Sequence, residues 1–246
     1  NKYHRPPETY TQFLRTYKVH MRGKVSSLSS YVKRKNIPTH QLKHLHESIN
    51  DEYLKSFYNT SLKPHSLEIT HFPMKNKAYN NNSNVQYKNI IRNMHFEQLV
   101  YKTQPGLPNL RNYGSMLSDI YKNKIIDYKI LTPSALHYIE MGRIGSVYSS
   151  YYFRASILNP YLVYSLNETL LKGSKVFTPT LGWGSYCYGL LESSRVTEYV
   201  GTDVIPSVCK KTQQFANKYY PNKATSIYCV PSEELYKLPE FQKKYV

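Results

Sequence analysis

The sequence predicts an α/β protein in two parts: a basic, mostly helical region over residues 1–145, then strands and helices alternating over 146–246. Three observations carry the prediction. From Val176 to Asp203 the chain reads V-F-T-P-T-L-G-W-G-S-Y-C-Y-G-L-L-E-S-S-R-V-T-E-Y-V-G-T-D: a short apolar strand, a glycine turn, a helix and a second strand ending in a carboxylate. Its glycines let the backbone approach a ligand that a Cβ would block, and Asp203 is placed to accept hydrogen bonds from a ribose diol. The amino-terminal half instead repeats apolar residues at helical spacing. Charge divides unevenly as well: residues 1–150 hold 22 Lys and Arg against 9 Asp and Glu, a net of +13, while residues 151–246 hold 11 against 7, a net of +4.

The elements follow from local pattern. Residues 8–22 set Tyr10, Phe13, Leu14, Tyr17 and Met21 at helical spacing with Arg15, Lys18 and Arg22 between them, a basic amphipathic helix. The triplet Lys33-Arg34-Lys35 precedes Pro38, and Thr39 reads as the N-cap of a second helix with Leu42, Leu45, Ile49, Tyr53, Leu54 and Phe57 on one face. His40 and His44 lie four apart there, but no H-E-x-x-H glutamate stands between them, so they read as solvated and no metal is assigned. Residues 59–84, with Pro64, Pro73 and an asparagine-rich run over 80–84, form a polar loop or linker. Ile90, Ile91, Met94, Phe96, Leu99 and Val100 allow a helix or a strand pair, after which Pro105, Gly106 and Pro108 break the chain. Met116, Leu117, Ile120, Ile125 and Ile126 predict a helix.

Thr132-Pro133 supplies a cap and a first-turn proline for a helix over 134–141 that Gly142 stops. The tract S-V-Y-S-S-Y-Y-F-R over 146–154 fits two readings: aromatic stacking on a nucleotide strand, or a β-strand with tyrosines half in the core. Asn159-Pro160 opens a helix through Leu162, Val163, Leu166, Leu170 and Leu171, with Gly173 as its C-terminal cap. That helix delivers the chain into a strand over 175–178.

A formal charge of +17 and a pI near 9.6 point to a polyanionic partner, nucleic acid before all others. The 26 tyrosines and abundant Asn and Lys are also what an A/T-rich coding sequence yields. Cys187, Cys209 and Cys229 have neither zinc-knuckle nor disulfide-framework spacing and read as reduced thiols of an intracellular protein. No apolar run approaches the roughly 18 residues of a membrane span, and the polar start at 1–7 is no signal peptide, so the expectation is a soluble chain with no membrane partner. A start at Asn1 in place of Met reads as a gene product that begins further upstream.

Four segments carry a family resemblance. N-P-Y-L-V-Y-S-L from Asn159, K-G-S-K-V-F-T-P-T-L-G-W-G-S from Lys172, Y-V-G-T-D-V-I-P-S-V-C from Tyr199 and I-Y-C-V-P-S-E-E-L from Ile227 occur in that order. They resemble the S-adenosylmethionine (SAM)-dependent DNA amino-methyltransferases of phages and large DNA viruses, whose pattern runs N-P-x-L-V, V-L-D-P-x-x-G-W-G, Y-V-G-x-D-x-N-P. The resemblance implies the front half of a Rossmann-like SAM-methyltransferase sheet and a reaction at adenine N6 or cytosine N4 of DNA. It implies that Gly182, Trp183 and Gly184 wrap the methionine part of SAM. Asp203 would hold the ribose with Val204 beside the adenine, and Ser232 and Glu233 would flank the adenine.

Two departures qualify it. Thr178 stands where the family has an acid near the SAM amino group, a loss of about 1–3 kcal/mol of cofactor binding if that contact is charge-assisted. The family's catalytic [DNS]-P-P-[YFW] loop does not occur in the 246 residues, so no catalytic residue is assigned. The expectation is either the front of a longer enzyme or a non-catalytic methyltransferase-like relative that binds nucleic acid or serves as a structural component of a viral or other nucleoprotein assembly, with other protein subunits as further partners. A nicotinamide fingerprint G-x-G-x-x-G fits less well, because Gly189 comes two positions late and Cys187 occupies the expected place.

Overall fold

A computed structural model describes residues 8–50, 70–75, 86–103, 112–152 and 155–245. They form a mixed α/β protein with two three-stranded sheets, of order β2-β1-β3 and β4-β5-β6. The strands are β1 (Lys18–Met21), β2 (Lys24–Ser27), β3 (Ile125–Asp127), β4 (Lys175–Thr178), β5 (Glu198–Thr202) and β6 (Ala224–Tyr228). The described α-helices are α1 (Tyr10–Thr16), α2 (Leu28–Lys35), α3 (Thr39–Asn50), α4 (Gln86–Met94), α5 (Tyr113–Ser118), α6 (Pro133–Glu140), α7 (Ile144–Tyr151), α8 (Pro160–Leu166), α9 (Ser185–Glu192), α10 (Pro206–Tyr219) and α11 (Pro239–Tyr245).

Contacts divide the chain into two compact units, Asn1–Ser66 with Glu97–Ala155, and Leu67–Phe96 with Ser156–Val246. The division is discontinuous in sequence. Tyr87, Ile90, Ile91 and Met94 of α4 share a core with Leu181, Tyr188 and Tyr199, which draws that helix to the carboxyl-terminal strands.

In the first unit, α1 opens on a capping box in which Thr9 and Gln12 satisfy each other's backbone N–H groups. It stops at Thr16, well short of the helix expected through Arg22. From Tyr17 the period changes to two, with Tyr17 and Val19 buried and Lys18 exposed between them. The turn Arg22-Gly23 has φ of 48° and 81°, the left-handed pair a two-residue hairpin needs, and joins β1 to β2 antiparallel. Gly23 was the available signal. Ser27 caps α2 by accepting from Ser30 N–H, and α3 begins with Leu42 N–H donating to Pro38 O at 3.3 Å, so the cap position falls on Pro38 and Thr39 is the first helical residue.

Helix α5 runs on into a π-helical turn, Asp119–Asn123, that ends at left-handed Lys124. Ile125 and Ile126 are therefore strand, not helix, and β3 pairs parallel with β1. Thr132 and Pro133 start α6 as expected, with Gly142 at φ 72° just past its end. Residues 146–151 of the tyrosine tract belong to helix α7, not to a strand, and Tyr148 and Tyr152 are buried, out of reach of a stacking base; Phe153 lies outside the described residues. The stretch after Val85, open between helix and strands, is helical. Tyr53, Leu54, Phe57, Pro64, the asparagine run, Pro105, Gly106, Pro108 and Arg154 lie outside the described residues.

In the second unit all three strands are parallel, with Thr178 opposite Gly201 and Thr202 opposite Tyr228. Helices α9 and α10 supply the two crossovers that parallel neighbours require. Asn159 caps α8 by accepting from Tyr161 N–H at 3.2 Å. The helix continues as a π-helical turn to left-handed Lys172, so Lys172 and not Gly173 closes it. Gly173 instead exchanges hydrogen bonds with the buried Asn167 side chain through both its N–H and its carbonyl. Leu170 and Leu171 are exposed. So is Phe177 on β4, at 52%, although the strand reads as apolar.

Helix α9 packs on α8 through Gly189. A Cβ there would collide with the Pro160 carbonyl oxygen and lie 2.7 Å from Val163 Cβ. Gly189→Ala is expected to lower stability by about 1–3 kcal/mol in urea denaturation through overpacking. Gly145→Ala, where a Cβ meets nothing within 4 Å, is the control and should stay within about 0.5 kcal/mol of the wild type.

Candidate functional site

Because β4, β5 and β6 run parallel, their carboxyl ends share one edge, and the segments that follow them meet there. Three hydrogen bonds document the meeting. Leu181 N–H donates to Asp203 Oδ2 at 3.4 Å, Thr202 Oγ1 donates to Pro179 O at 2.8 Å, and Asp203 N–H donates to Tyr228 O at 3.2 Å. This edge is where open parallel sheets bind ligands.

The glycine turn is left-handed throughout, with Gly182 at φ 53°, Trp183 at 60° and Gly184 at 85°. Two glycines tolerate this at no cost, while Trp183 is strained, a feature that concentrates at functional sites. A Cβ on Gly184 would also be crowded, 3.1 Å from Thr212 Oγ1. Helix α9 starts directly afterwards without a side-chain cap, which leaves its first-turn N–H donors beside the turn.

The half-buried Asp203 accepts from Ile205 N–H through Oδ1 at 3.1 Å and from Leu181 N–H through Oδ2. Each oxygen keeps a lone pair for a further donor. Val204 beside it is 62% exposed, an apolar surface at the rim. Ser232 and Glu233 follow β6 in the short helical segment Ser232–Lys237, where Ser232 Oγ donates to Glu233 Oε2 at 3.3 Å. Thr178 is buried and turned inward, its hydroxyl 2.6 Å from that of Tyr199.

Several residues at this edge have no sequence signal. His95 is 1% exposed, with Nε2 3.3 Å from Thr212 Oγ1 and its ring 6.4 Å from that of Trp183. Burial, reinforced by the charge of Lys211, pushes its pKa down to about 3, so the ring is neutral. Its Nδ1 has no partner among the described residues. The Cys209 thiol, lying behind Asp203 at 3.4 Å from its carbonyl oxygen, is pushed up to about 12 by burial and by contact with Cys229.

His40 and His44 sit 3.0 Å from Glu140 and 3.5 Å from Glu47. Among the described residues no group of three His, Cys, Asp or Glu is placed to hold a metal ion, and no helix is long and apolar enough to cross a membrane. No protein-family model, curated protein or solved structure matches this chain.

The buried imidazole has a consequence for stability against pH. An unfolded histidine takes a proton near pH 6.5, and folded His95 resists it down to about 3. The unfolded state therefore binds more protons inside that window, so this contribution is complete above pH 6.5 and is lost as pH falls toward 3. His95→Leu should flatten the dependence of urea-derived stability on pH between 6.5 and 4 by about 1 kcal/mol per pH unit. An unchanged slope would mean that the ring is protonated in place.

Proposed function

We propose that this chain binds SAM at the carboxyl edge of the β4-β5-β6 sheet and directs methyl transfer to an exocyclic amine of a DNA base, adenine N6 or cytosine N4. One observation carries the reading: the three segments that resemble methyltransferase motifs follow three adjacent parallel strands in sequence order. This order supports the reading, because the front half of a Rossmann-like methyltransferase sheet would present its motifs in the same way.

The residues suit the ligand. The Gly182–Gly184 turn and the uncapped donors of α9 offer a close, hydrogen-bonding backbone to an amino-acid carboxylate. Asp203 retains acceptor capacity for a ribose diol, and exposed Val204 offers an apolar face to a purine. Ser232 and Glu233 stand after the third strand, on the adenine side. SAM supplies an electrophilic methyl carbon, so the protein's task is alignment of that carbon with the attacking amine.

A second reading has its own support. The Thr178 hydroxyl is buried against Tyr199, leaving no carboxylate where the family has one, as suits a methyltransferase-like protein that binds nucleic acid or builds an assembly without catalysing.

Calorimetric titration of this chain with SAM, and tritiated methyl transfer to duplex DNA by the complete gene product, test both. Asp203→Ala should weaken SAM binding about 10- to 100-fold, as expected for a charged hydrogen-bond acceptor. Asp203→Asn, which keeps an oxygen for Leu181 N–H, separates ligand loss from loop loss. Methyl incorporation supports the enzyme, SAM binding without incorporation supports the second reading, and absence of SAM binding overturns the SAM site.

A further inference from the structure

Residues 9–46 contain no Asp or Glu. The run folds into consecutive elements of the first unit, α1, β1, β2, α2 and most of α3, which bury Phe13, Tyr17, Val19, Leu28, Leu42 and Leu45. Its cations therefore all point outward. Arg15 lies on α1, Lys18 on β1, and Arg22 and Lys24 at the hairpin turn; each is exposed. Lys33, Arg34 and Lys35 form the last turn of α2, and Lys43 lies on α3; these too are exposed. The hairpin turn extends past β3, whose pairing with β1 ends at His20 opposite Asp127.

We propose that this run is a surface that grips the phosphodiester backbone of a nucleic acid, with the Arg22-Gly23 hairpin turn and the basic end of α2 as its two contact points. The inference rests on the nucleic-acid part of the function proposed above, and adds the place where the polymer is held.

The absence of acids from the run is the main support. Ion pairing elsewhere is mixed: Lys122, Arg143, Lys172, Lys210 and Lys218 also have no ion pair among the described residues, whereas Lys102, Lys124, Lys129, Lys175, Lys237 and Lys244 each lie beside a carboxylate. Among the described residues, none of the lysines and arginines in 9–46 forms an ion pair, and Arg34 lies over the Tyr31 ring at 5.4 Å. Three basic residues at a helix C-terminus also favour the helix dipole, which accounts for Lys33, Arg34 and Lys35 but not for Arg22 and Lys24. A coding bias toward lysine adds cations everywhere, but it does not clear acids from this run or supply Arg15, Arg22 and Arg34.

Chemistry favours nucleic acid over a lipid surface. Val25 is the one large apolar residue in the run that is strongly exposed, so no apolar face is available to enter a bilayer. Exposed Ser29, Ser30 and Asn36 stand beside the cations, and such groups donate to phosphate oxygens. A two-stranded ribbon also fits a duplex groove.

The test is fluorescence anisotropy of the full chain, without SAM, on duplex DNA and on duplex and single-stranded RNA across a salt series. Leaving SAM out keeps a failed grip distinct from a failed methyl transfer. R22A/K24A should lower the magnitude of the log K against log salt slope by about 2, and K33A/R34A/K35A by about 2–3, each with at least about a tenfold loss of affinity near 0.15 M salt. K210A/K218A, on α10, should leave the slope unchanged, and circular dichroism melting checks that every variant is folded. Preference for DNA or for RNA identifies which polymer supplies the backbone. Wild-type slopes in both hairpin and helix variants overturn the proposal. So does an equal loss in the control, or tighter binding to polyglutamate or to phosphatidylserine vesicles than to either nucleic acid.

Discussion

Parallel pairing of β4, β5 and β6 is the constraint on which the candidate site depends. Strands that run the same way end at the same edge, so three loops distant in sequence emerge side by side. Parallel neighbours also need long crossovers, here α9 and α10, whose amino-terminal ends lie just past the loops. Asp203 completes the arrangement: one carboxylate accepts from the loop after β4 and from the chain leading into α10. The same side chain that would meet a ribose therefore holds the glycine turn in register with its neighbour strand.

A second carboxylate organises the other side of that unit. Glu192, at the end of α9, accepts from Met74 N–H at 2.7 Å and from Tyr220 OH at 2.6 Å, and pairs with His71. Tyr188 OH adds a bond to Phe72 O at 2.8 Å. Residues 70–75 are thereby fastened to a domain from which they are remote in sequence. Tyrosine suits this role because its ring fills the core while its hydroxyl satisfies buried backbone. In Tyr188 and Tyr220 burial pushes the phenol up, away from ionisation.

Much of the carboxyl-terminal architecture was legible locally. The strand over 175–178, the glycine turn, the helix after it and the strand ending at Asp203 stand where their residue patterns put them. Thr132-Pro133 and Asn159-Pro160 cap their helices because a short polar side chain and a fixed φ act within one turn. Errors fell where two periods compete. Tyr10, Phe13, Leu14, Tyr17 and Met21 satisfy a helical stripe, yet the left-handed turn at Arg22-Gly23 and the pairing with β3 make the second half of that stretch a strand. Ile125 and Ile126 changed from helix to strand for the same reason, since a partner strand decides between two extended or coiled uses of an apolar pair.

By itself the sequence determined the mixed α/β class, the uneven charge and the residue types at the carboxyl edge, because propensity, capping and net charge act over a few residues. Only the tertiary structure decided what those residues touch. It turned Thr178 inward to Tyr199, set Asp203 between two loops, and buried His95 against Thr212 near Trp183. It also joined α4 to the carboxyl-terminal core and left the lysines and arginines of 9–46 exposed, without carboxylate partners among the described residues. Each of these is a relation between segments far apart in the chain, and such relations are set by packing and long-range pairing, which no local window contains.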